Sequence, residues 1–528
     1  MKSKLLSLTM VGTVAVGGLT LSACGGSSAG SAGSGGSGST AAGSPVKGGD
    51  LTIARAQDAK SMNNILTFDN SSIFIFEQML EPLFTVTPDG TDTEPLLAEG
   101  YKVSADKKTY TITLKKGVTF SSGAEMTSAD VKFSIDEDTK HADTGWGFIN
   151  SAIKSVTAKD KYTVLVELKH PWAPIIADLA LFSNAIVPKD YGGKSMEEFY
   201  QAPVGTGAYK WGEWKKGQYL KLVANPTYWQ KGKPYLDSVT WKVVPDSNTR
   251  KLQVQGGQVD INEYPDWSSF KSLATASNVT AKTFPSTELD YLAFNEDRKP
   301  FQDVHVRRAI SAMIDRDSIV KAVLFGNGTS ANSLLMPGVP FYDKSTPGIM
   351  KDDALAKSEM AASSVPNGFD TTLLIPSGDA SKLSAAQIIQ GNLKPYGINV
   401  KITPLDPTAN HNAQQNMQYE MGLSGWTMDI PDPDEWTQFA VDPKGGAKSA
   451  YTNYNSKKAI DLNRAAEVET DKTKRAEIYS QLQKVTAEEA PFAQLYYAPY
   501  AYAFSKKVQG FNVTPLGNYP IMNVWKSR

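Results

Sequence analysis

A single cysteine, Cys24, ends the apolar N-terminal run of this 528-residue chain and limits what the rest can fold into. Two lysines precede the run, which starts at Leu5 and closes with Leu-Ser-Ala before the cysteine. A positive start, an apolar middle and small residues at a cleavage point are typical of an export signal. A lone cysteine cannot form an internal disulfide.

The Leu-Ser-Ala-Cys segment at 21–24 resembles the lipidation motif of bacterial lipoproteins. It predicts a signal peptide over 1–23 and an acylated Cys24 that holds the mature chain at the outer face of the cell membrane. The alternative is an uncleaved anchor over 5–21. That run has about 17 residues and three glycines, which is marginal for crossing a bilayer of about 30 Å.

Residues 24–47 form a tether that consists mainly of Gly, Ser, Ala and Thr. Such a composition buries no core and is typical of a flexible linker. Roughly 480 residues remain, too many for one core, which indicates two or three domains. The chain has 54 Lys and Arg against 55 Asp and Glu, so its charge gives no reason to expect a nucleic-acid partner.

Side-chain periodicity predicts a β-rich first half and an α/β second half. Strands are predicted over 51–54, 110–114, 162–168, 220–224, 239–244, 371–375, 398–402 and 492–503. A helix over 385–393, with Ser384 as its N-cap, lies between two of these strands and indicates a parallel sheet.

Helix-start signals and apolar spacing predict the remaining helices. Thr127 with Asp130 resembles a capping box, and Asp303 is expected to cap a helix over 304–314. The other predicted helices are 73–83, 249–254, 457–468 and 472–489.

The chain lacks the patterns that catalysis and metal binding need. None of the four histidines has a second histidine at a metal-binding spacing; they are His141, His170, His305 and His411. The sequence at 192–195 ends like a phosphate-binding loop, but Pro188 occupies the place of its first glycine. We therefore expect no catalytic residue, no metal and no cofactor.

One polar cluster, residues 426–436, contains four acids within seven positions, two prolines and a Trp at each end. The prolines argue against a regular helix or a central strand. Carboxylates and aromatic faces suit a cationic ligand group. A solvated acidic turn is the alternative, and a calcium loop fits less well because its glycine and final glutamate are missing.

Four sequence blocks occur in a fixed order along most of the chain. They are 94–101 with 106–110, 114–123 with 127–134, 203–209 with 225–229, and 303–310 with 314–316. Together they resemble the bacterial family 5 extracellular solute-binding proteins, lipoproteins that serve ATP-driven importers of peptides, nickel and related solutes.

This resemblance implies an α/β fold of the periplasmic-binding-protein type, with two lobes joined by a hinge. Lobe one is expected to comprise 48–285, with an extra β-rich subdomain inserted at about 85–195. Lobe two is expected over 286–494, and 495–528 returns to lobe one. The lobes would close on a ligand by hinge motion.

The resemblance also implies a binding site around Asp429. Peptide binders of the family place an aspartate three residues after a Trp, where it receives the α-ammonium of the ligand, and Trp426 and Asp429 match that spacing. Thr427 belongs to the same segment. Approximate alignment adds Asn70, in the loop 68–72, and Trp146, for which plain packing is the alternative.

Leu423 departs from the pattern of some oligopeptide binders, which carry a basic residue there to face the ligand carboxylate. The carboxylate must then be met elsewhere, or the ligand is not a short free peptide.

The resulting hypothesis is a non-enzymatic, monomeric binding protein. It would capture peptides and deliver them to the permease and ATPase of an ABC importer while a lipid anchor holds it at the membrane. The alternatives are a binder of a nickel chelate, sugar or opine, and a surface receptor without transport. A secreted hydrolase is a further alternative, for which the sequence offers no catalytic pair.

Overall fold

The computed structural model describes residues 44–445 and 447–528. The predicted signal peptide, Cys24 and the tether up to residue 43 lie outside the described residues, as does Gly446. Within the described part, no helix is both long enough and apolar enough to cross a bilayer.

The described chain contains nineteen strands, several of which follow one another without a helix between them. They are β1 (Asp50–Arg55), β2 (Phe84–Val86), β3 (Thr93–Pro95), β4 (Ala98–Val103), β5 (Thr109–Leu114), β6 (Ile153–Asp160), β7 (Thr163–Leu168), β8 (Tyr209–Lys215), β9 (Tyr219–Ala224), β10 (Ser238–Val243), β11 (Ile261–Glu263), β12 (Val279–Phe294), β13 (Thr329–Ser330), β14 (Asp370–Pro376), β15 (Asn399–Leu405), β16 (Met421–Trp426), β17 (Phe492–Ser505), β18 (Val508–Gln509) and β19 (Trp525–Lys526).

The helices are concentrated after residue 245. They are α1 (Asn70–Phe76), α2 (Ser128–Lys140), α3 (Ile175–Asp178), α4 (Met196–Gln201), α5 (Ser247–Gln255), α6 (Trp267–Ala274), α7 (Val304–Met313), α8 (Arg316–Val323), α9 (Asp353–Ala362), α10 (Ala380–Leu393), α11 (Pro407–Gln415), α12 (Asp434–Val441), α13 (Lys448–Tyr451), α14 (Lys457–Val468) and α15 (Lys472–Glu489).

One mixed sheet passes through both predicted lobes. Its strand order is β15-β14-β16-β12-β17-β11-β1-β10-β9-β8, and β13 pairs separately with β17. The pairs of β1 with β10 and β11, and of β14 with β15 and β16, are parallel. The strand–helix–strand unit β14-α10-β15 therefore gives the parallel pair that the sequence predicted.

The two long strands β12 and β17 run antiparallel to each other and belong to both lobes. Their pairing extends from Val279 opposite Ser505 to Ala293 opposite Phe492, with irregularities after Phe284 and after Asp290. Because each strand crosses from one lobe to the other, this pair is the place where a hinge can act.

A second, antiparallel sheet lies within the range predicted for the inserted subdomain. Its order is β4-β5-β7-β6, and its inner face packs in a core of its own that includes Ile112, Val131 and Val164. In lobe two, Leu373 and Leu374 of β14 belong to different cores, so both sheet faces are covered. The exact lobe and subdomain boundaries stay predictions.

Most of the predicted elements are confirmed. The helices over 457–468 and 472–489 have the predicted bounds, and 492–503 lies within β17. Asp303 caps α7 by accepting a hydrogen bond from the backbone N–H of His305 at 2.9 Å. Thr127 and Asp130 form the expected capping box at the start of α2.

The N-cap predicted at Ser384 is wrong. The helix begins at Ala380, because the carboxylate of Asp379 accepts a hydrogen bond from the backbone N–H of Lys382 at 2.9 Å. Ser384 lies inside α10, where its hydroxyl donates to the carbonyl of Ala380.

The buried helix predicted over 73–83 is also wrong in its extent, because α1 stops at Phe76. Beyond it the chain turns to pair with a glycine turn, so that Gly207 N–H donates to the carbonyl of Met79 at 2.9 Å. A Cβ on Gly205 would lie 2.1 Å from the same carbonyl oxygen. Glycine at 205 therefore permits an approach that pulls residues 77–80 out of the helix.

Candidate ligand-binding site

A cavity of about 460 Å³ opens beside Asp429. Its wall comes from the end of α1, the segment 82–96, and residues 510–523 of the returning chain. Among the described residues that line it, Asp429 alone comes from lobe two. The cavity therefore lies where a ligand would touch both lobes.

The backbone around Asp429 is fixed from two sides. Met428 N–H donates to the hydroxyl of Thr287 on β12 at 2.9 Å. The N–H groups of Asp429 and Ile430 donate to one carboxylate oxygen of Glu435, on the first turn of α12, at 2.8 and 3.2 Å. This loop therefore presents the Asp429 side chain to the cavity in a fixed position.

Among the described residues, no cation pairs with the carboxyl groups of Asp429 and Glu435. Burial raises the pKa of Asp429 to about 7. Glu435 is 2 % exposed, and burial followed by the nearby charge of Asp429 raises its pKa well above the usual range. A buried carboxylate without a partner is costly, so a positive ligand group would stabilise this pair.

Glu77 faces the same cavity from lobe one, where it forms the C-cap of α1. One of its carboxylate oxygens accepts a hydrogen bond from the amide of Asn518. The other oxygen is buried and has no hydrogen-bond partner among the described residues. Burial raises the pKa of Glu77 to about 8, and the charge of Asp429 contributes to the rise.

Trp426 is half-buried between two aromatic rings of α12. Its ring centroid lies 5.8 Å from that of Trp436 and 4.6 Å from that of Phe439. Its indole N–H is buried without a hydrogen-bond partner in the described part of the chain. Trp426 does not line the cavity, so its contact with a ligand stays a prediction.

Trp146 packs in the core of lobe one, at 5 % exposure. Its indole N–H donates to the carbonyl of Thr67 at 2.9 Å, and its ring stacks on the exposed Phe68 at 4.9 Å. This contact fixes the segment that leads into α1. The packing alternative therefore describes Trp146 well, and direct ligand contact stays a prediction.

An aromatic row connects Trp146 with Trp426 across the lobes. Phe148 lies 5.8 Å from Trp146 and 5.7 Å from Phe439, whose ring contacts Trp426. The two predicted tryptophans thus belong to one row without touching each other.

Thr427 and Asn70 make weaker cases. Thr427 is half-buried between β16 and Met428, next to the cavity-lining Asp429. Asn70 is exposed at the first position of α1 and does not line the cavity. Their roles in binding stay predictions, and Cys24 lies outside the described residues.

The acidic cluster at 426–436 is not a solvated turn, because most of it is buried. Asp432 forms an ion pair with Arg475, with a nitrogen–oxygen distance of 2.9 Å. Asp434 and Glu435 start α12, which begins directly after Pro433. The prolines thus keep the segment before residue 434 out of a helix, whereas the residues after Pro433 are helical. Only Asp429 of the four acids lines the cavity.

Leu423, at the position where some oligopeptide binders carry a basic residue, is buried in a lobe-two core. Lys382 on α10 approaches the same strand, with its ammonium 3.5 Å from the carbonyl of Ser424. It forms an ion pair with Asp290 of β12, so its charge is already balanced. Carboxylate recognition therefore has no evident free cation in this part of the described structure.

Comparison with known proteins identifies the family. Residues 92–448, more than half of the chain, match the model of bacterial extracellular solute-binding proteins, family 5 Middle. The chain is a family 5 solute-binding protein.

Its relatives include the oligopeptide-binding protein AppA of Bacillus subtilis, 30 % identical over 554 residues that cover 100 % of both chains. Solved structures resemble this solute-binding protein closely. DppA from Helicobacter pylori, in complex with the peptide STSA, has a TM-score of 0.80 at 27 % identity and covers 92 % of this chain and 99 % of its own. AppA with a nonapeptide has a TM-score of 0.78 at 28 % identity, with 92 % and 100 % covered.

These matches confirm the predicted α/β fold with two lobes of the periplasmic-binding-protein type. They also confirm the predicted resemblance, and the family is one of solute-binding proteins rather than enzymes.

Sequence reasoning missed Glu77 and Glu435 as members of the site. Glu435 was part of the acidic cluster, but nothing indicated that it binds the Asp429 backbone. Glu77 directly follows the apolar run 73–76, and an acid in a segment otherwise expected to be buried was the available signal.

Proposed function

We propose that this solute-binding protein captures peptides through their free N-terminus and delivers them to the permease of an ABC importer. The observation that carries the proposal is Asp429, whose half-buried carboxyl has no cationic partner among the described residues and faces a cavity otherwise lined by lobe one. An α-ammonium supplies the missing charge, and a charge-assisted hydrogen bond of this kind contributes about 1.5–3 kcal/mol.

The strand before Asp429 supports binding of an extended backbone. Strand β16 pairs with β12 along its whole length, but with β14 only at Met421 and Gly422. Beyond Gly422 no described strand covers the second edge. A peptide that pairs with such an edge gains main-chain hydrogen bonds that do not depend on its side chains.

The relatives support the same solute class and the link to an importer. AppA is named an oligopeptide-binding protein, and the DppA structure is described as ABC transporter-associated and contains a peptide. Nickel chelates, sugars and opines are the competing solutes.

Calorimetry with a tetrapeptide and a nonapeptide tests the proposal. Each peptide is compared with its N-acetylated form, which lacks the positive charge. We expect acetylation, or Asp429→Asn, to weaken binding at least about tenfold, since 1.4 kcal/mol is a factor of ten. Asp190→Asn is the matched control, because Asp190 is exposed and lies outside the cavity.

Equal affinity for free and acetylated peptides would remove the ammonium site. Failure of both peptides to bind, together with a non-peptide solute found by mass spectrometry of the native protein, would overturn peptide capture.

We also propose that acylated Cys24 anchors the protein to the membrane. The support is the Leu-Ser-Ala-Cys motif after an apolar run. Cys24→Ser should move the protein from the membrane fraction to the soluble fraction, as seen by sedimentation and immunoblotting. Ser22→Ala, two positions before the acceptor cysteine, is the control that should stay with membranes. Continued sedimentation of Cys24→Ser would contradict lipidation.

A further inference from the structure

The cavity at Asp429 is lined by more acidic side chains than a single ammonium can pair with. Four of its lining side chains are acids, namely Glu77, Glu81, Glu94 and Asp429. Lys115 is the single basic side chain on the described wall. Its ammonium donates to the carbonyl of Leu96 and lies 4.9 Å above the ring of Trp229, so it packs against the wall.

Glu81 is satisfied by the protein itself and needs no ligand. Its two oxygens accept hydrogen bonds from Thr206 and Tyr228 at 2.7 Å and from the indole of Trp229 at 2.9 Å. This carboxyl ties the segment after α1 to the glycine turn. Its role is structural, and it is set apart from the acids that face a ligand.

Glu77 differs from Glu81, because only one of its two carboxylate oxygens accepts a hydrogen bond from a described residue. Asn518 holds one oxygen and is itself fixed by Thr514, whose N–H donates to the Asn518 carbonyl at 2.9 Å. The second oxygen of Glu77 is buried and unpaired within the described residues. A carboxylate oriented on one side and unpaired on the other is arranged for a donor that the protein lacks.

Asp429 and Glu77 lie on opposite lobes and line the same space of about 460 Å³. That volume is in the usual range for small-ligand pockets and exceeds the need of an ammonium group alone. An ammonium on Asp429 alone leaves the second oxygen of Glu77 without a partner among the described residues, so the closed complex gains from a second positive group.

We propose that this cavity takes a ligand with two adjacent positive charges, a peptide whose first residue is lysine or arginine. The α-ammonium binds Asp429, and the cationic side chain extends to Glu77 on the opposite lobe. Glu77 is then a specificity-determining residue that couples a basic first residue to lobe closure. This inference rests on the proposed capture of peptides by their N-terminus.

The test compares Lys-Ala-Ala-Ala with norleucine-Ala-Ala-Ala by calorimetry on the wild-type protein. Norleucine keeps the aliphatic chain and lacks the charge. We expect the lysine peptide to bind at least about tenfold more tightly, the factor that one charge-assisted hydrogen bond provides. Glu77→Gln should abolish this preference and leave the affinity for the norleucine peptide within about twofold.

Glu99→Gln is the matched control, because Glu99 is exposed on β4 and lies outside the cavity. It should keep the full preference for lysine. Melting temperatures without peptide show whether each variant is folded, and the comparison of the two peptides on the wild-type protein needs no variant.

The outcomes separate this inference from the proposed function. If both peptides bind equally well and both lose affinity on N-acetylation, the second charge site is overturned and the ammonium site is kept. A lysine preference that survives Glu77→Gln overturns the assignment to Glu77. Binding that is insensitive to N-acetylation overturns the proposed function and this inference together.

Discussion

Two acidic regions of this protein differ in what the protein provides for them. Asp432, at 7 % exposure, has Arg475 as a partner, just as Glu263 in lobe one has Arg55 at 2.7 Å. Asp429, three residues before Asp432, and Glu77 have no such cation in the part of the chain that the structure describes. Asp432 and Glu263 are thus neutralised within the chain, whereas Asp429 and Glu77 remain available to a ligand.

Breaking a neutralised pair should have the largest effect. Arg475→Leu leaves Asp432 buried and unpaired, and the expected loss is about 3–5 kcal/mol of the free energy of unfolding. Urea denaturation without peptide measures it. The double variant Arg475→Leu with Asp432→Leu should recover much of the loss; a single variant as stable as the wild type would show that the pair contributes nothing.

Removing an acid that lines the cavity should leave the free energy of unfolding unchanged or raise it. Asp429→Asn removes a half-buried carboxylate that has no cationic partner among the described residues, so the ligand-free protein should be as stable as the wild type or more stable at pH 8. The same urea experiment measures this. A loss comparable to that of Arg475→Leu would mean that Asp429 is a structural acid.

The pH dependence of stability sharpens the contrast. The pKa values of Glu77 and Asp429 are raised in the folded state to about 8 and about 7. Between about pH 4.5 and 8 the folded state therefore holds more protons than the unfolded state, and stability falls as pH rises, by at most about 1.4 kcal/mol per pH unit for each group.

Peptide binding should reverse this proton uptake. A cationic ligand favours the ionised carboxylates, so binding at pH 6 should release protons. Calorimetry in two buffers with different ionisation enthalpies measures the release. Glu77→Gln should reduce it, and identical heats in both buffers would contradict the role of the raised pKa values.

The smallest effect is expected for Trp146→Phe. The change keeps the aromatic packing and removes the hydrogen bond to the Thr67 carbonyl, at a cost of about 1 kcal/mol of stability. Thermal unfolding measures it. A strong loss of peptide affinity at unchanged stability would instead indicate that Trp146 contacts the ligand.

The sequence predicted the elements well where local signals decide them. Caps at Thr127 and Asp303 and the periodicity of 457–468 and 472–489 were sufficient. The extent of α1 was not predictable in this way, because Met79 leaves the helix to pair with Gly207, more than a hundred residues away.

The sequence predicted only the part of the site that lobe two contributes. The spacing of Trp426 and Asp429 is a local pattern, and the resemblance to a known family gave it meaning. The cavity also needs Glu77 and Asn518, which lie far apart in the sequence and meet only through the return of the chain to lobe one. No local signal connects them.

The aromatic row between the lobes allows tryptophan fluorescence to report on lobe motion. Phe148 and Phe439 meet at 5.7 Å across the lobes, with a tryptophan beside each of them. Opening the lobes would separate Phe148 from Phe439 and change the surroundings of the row, so the tryptophan emission is expected to change. Intrinsic fluorescence after rapid mixing with peptide therefore follows the opening and closing of the lobes in time, without any added dye.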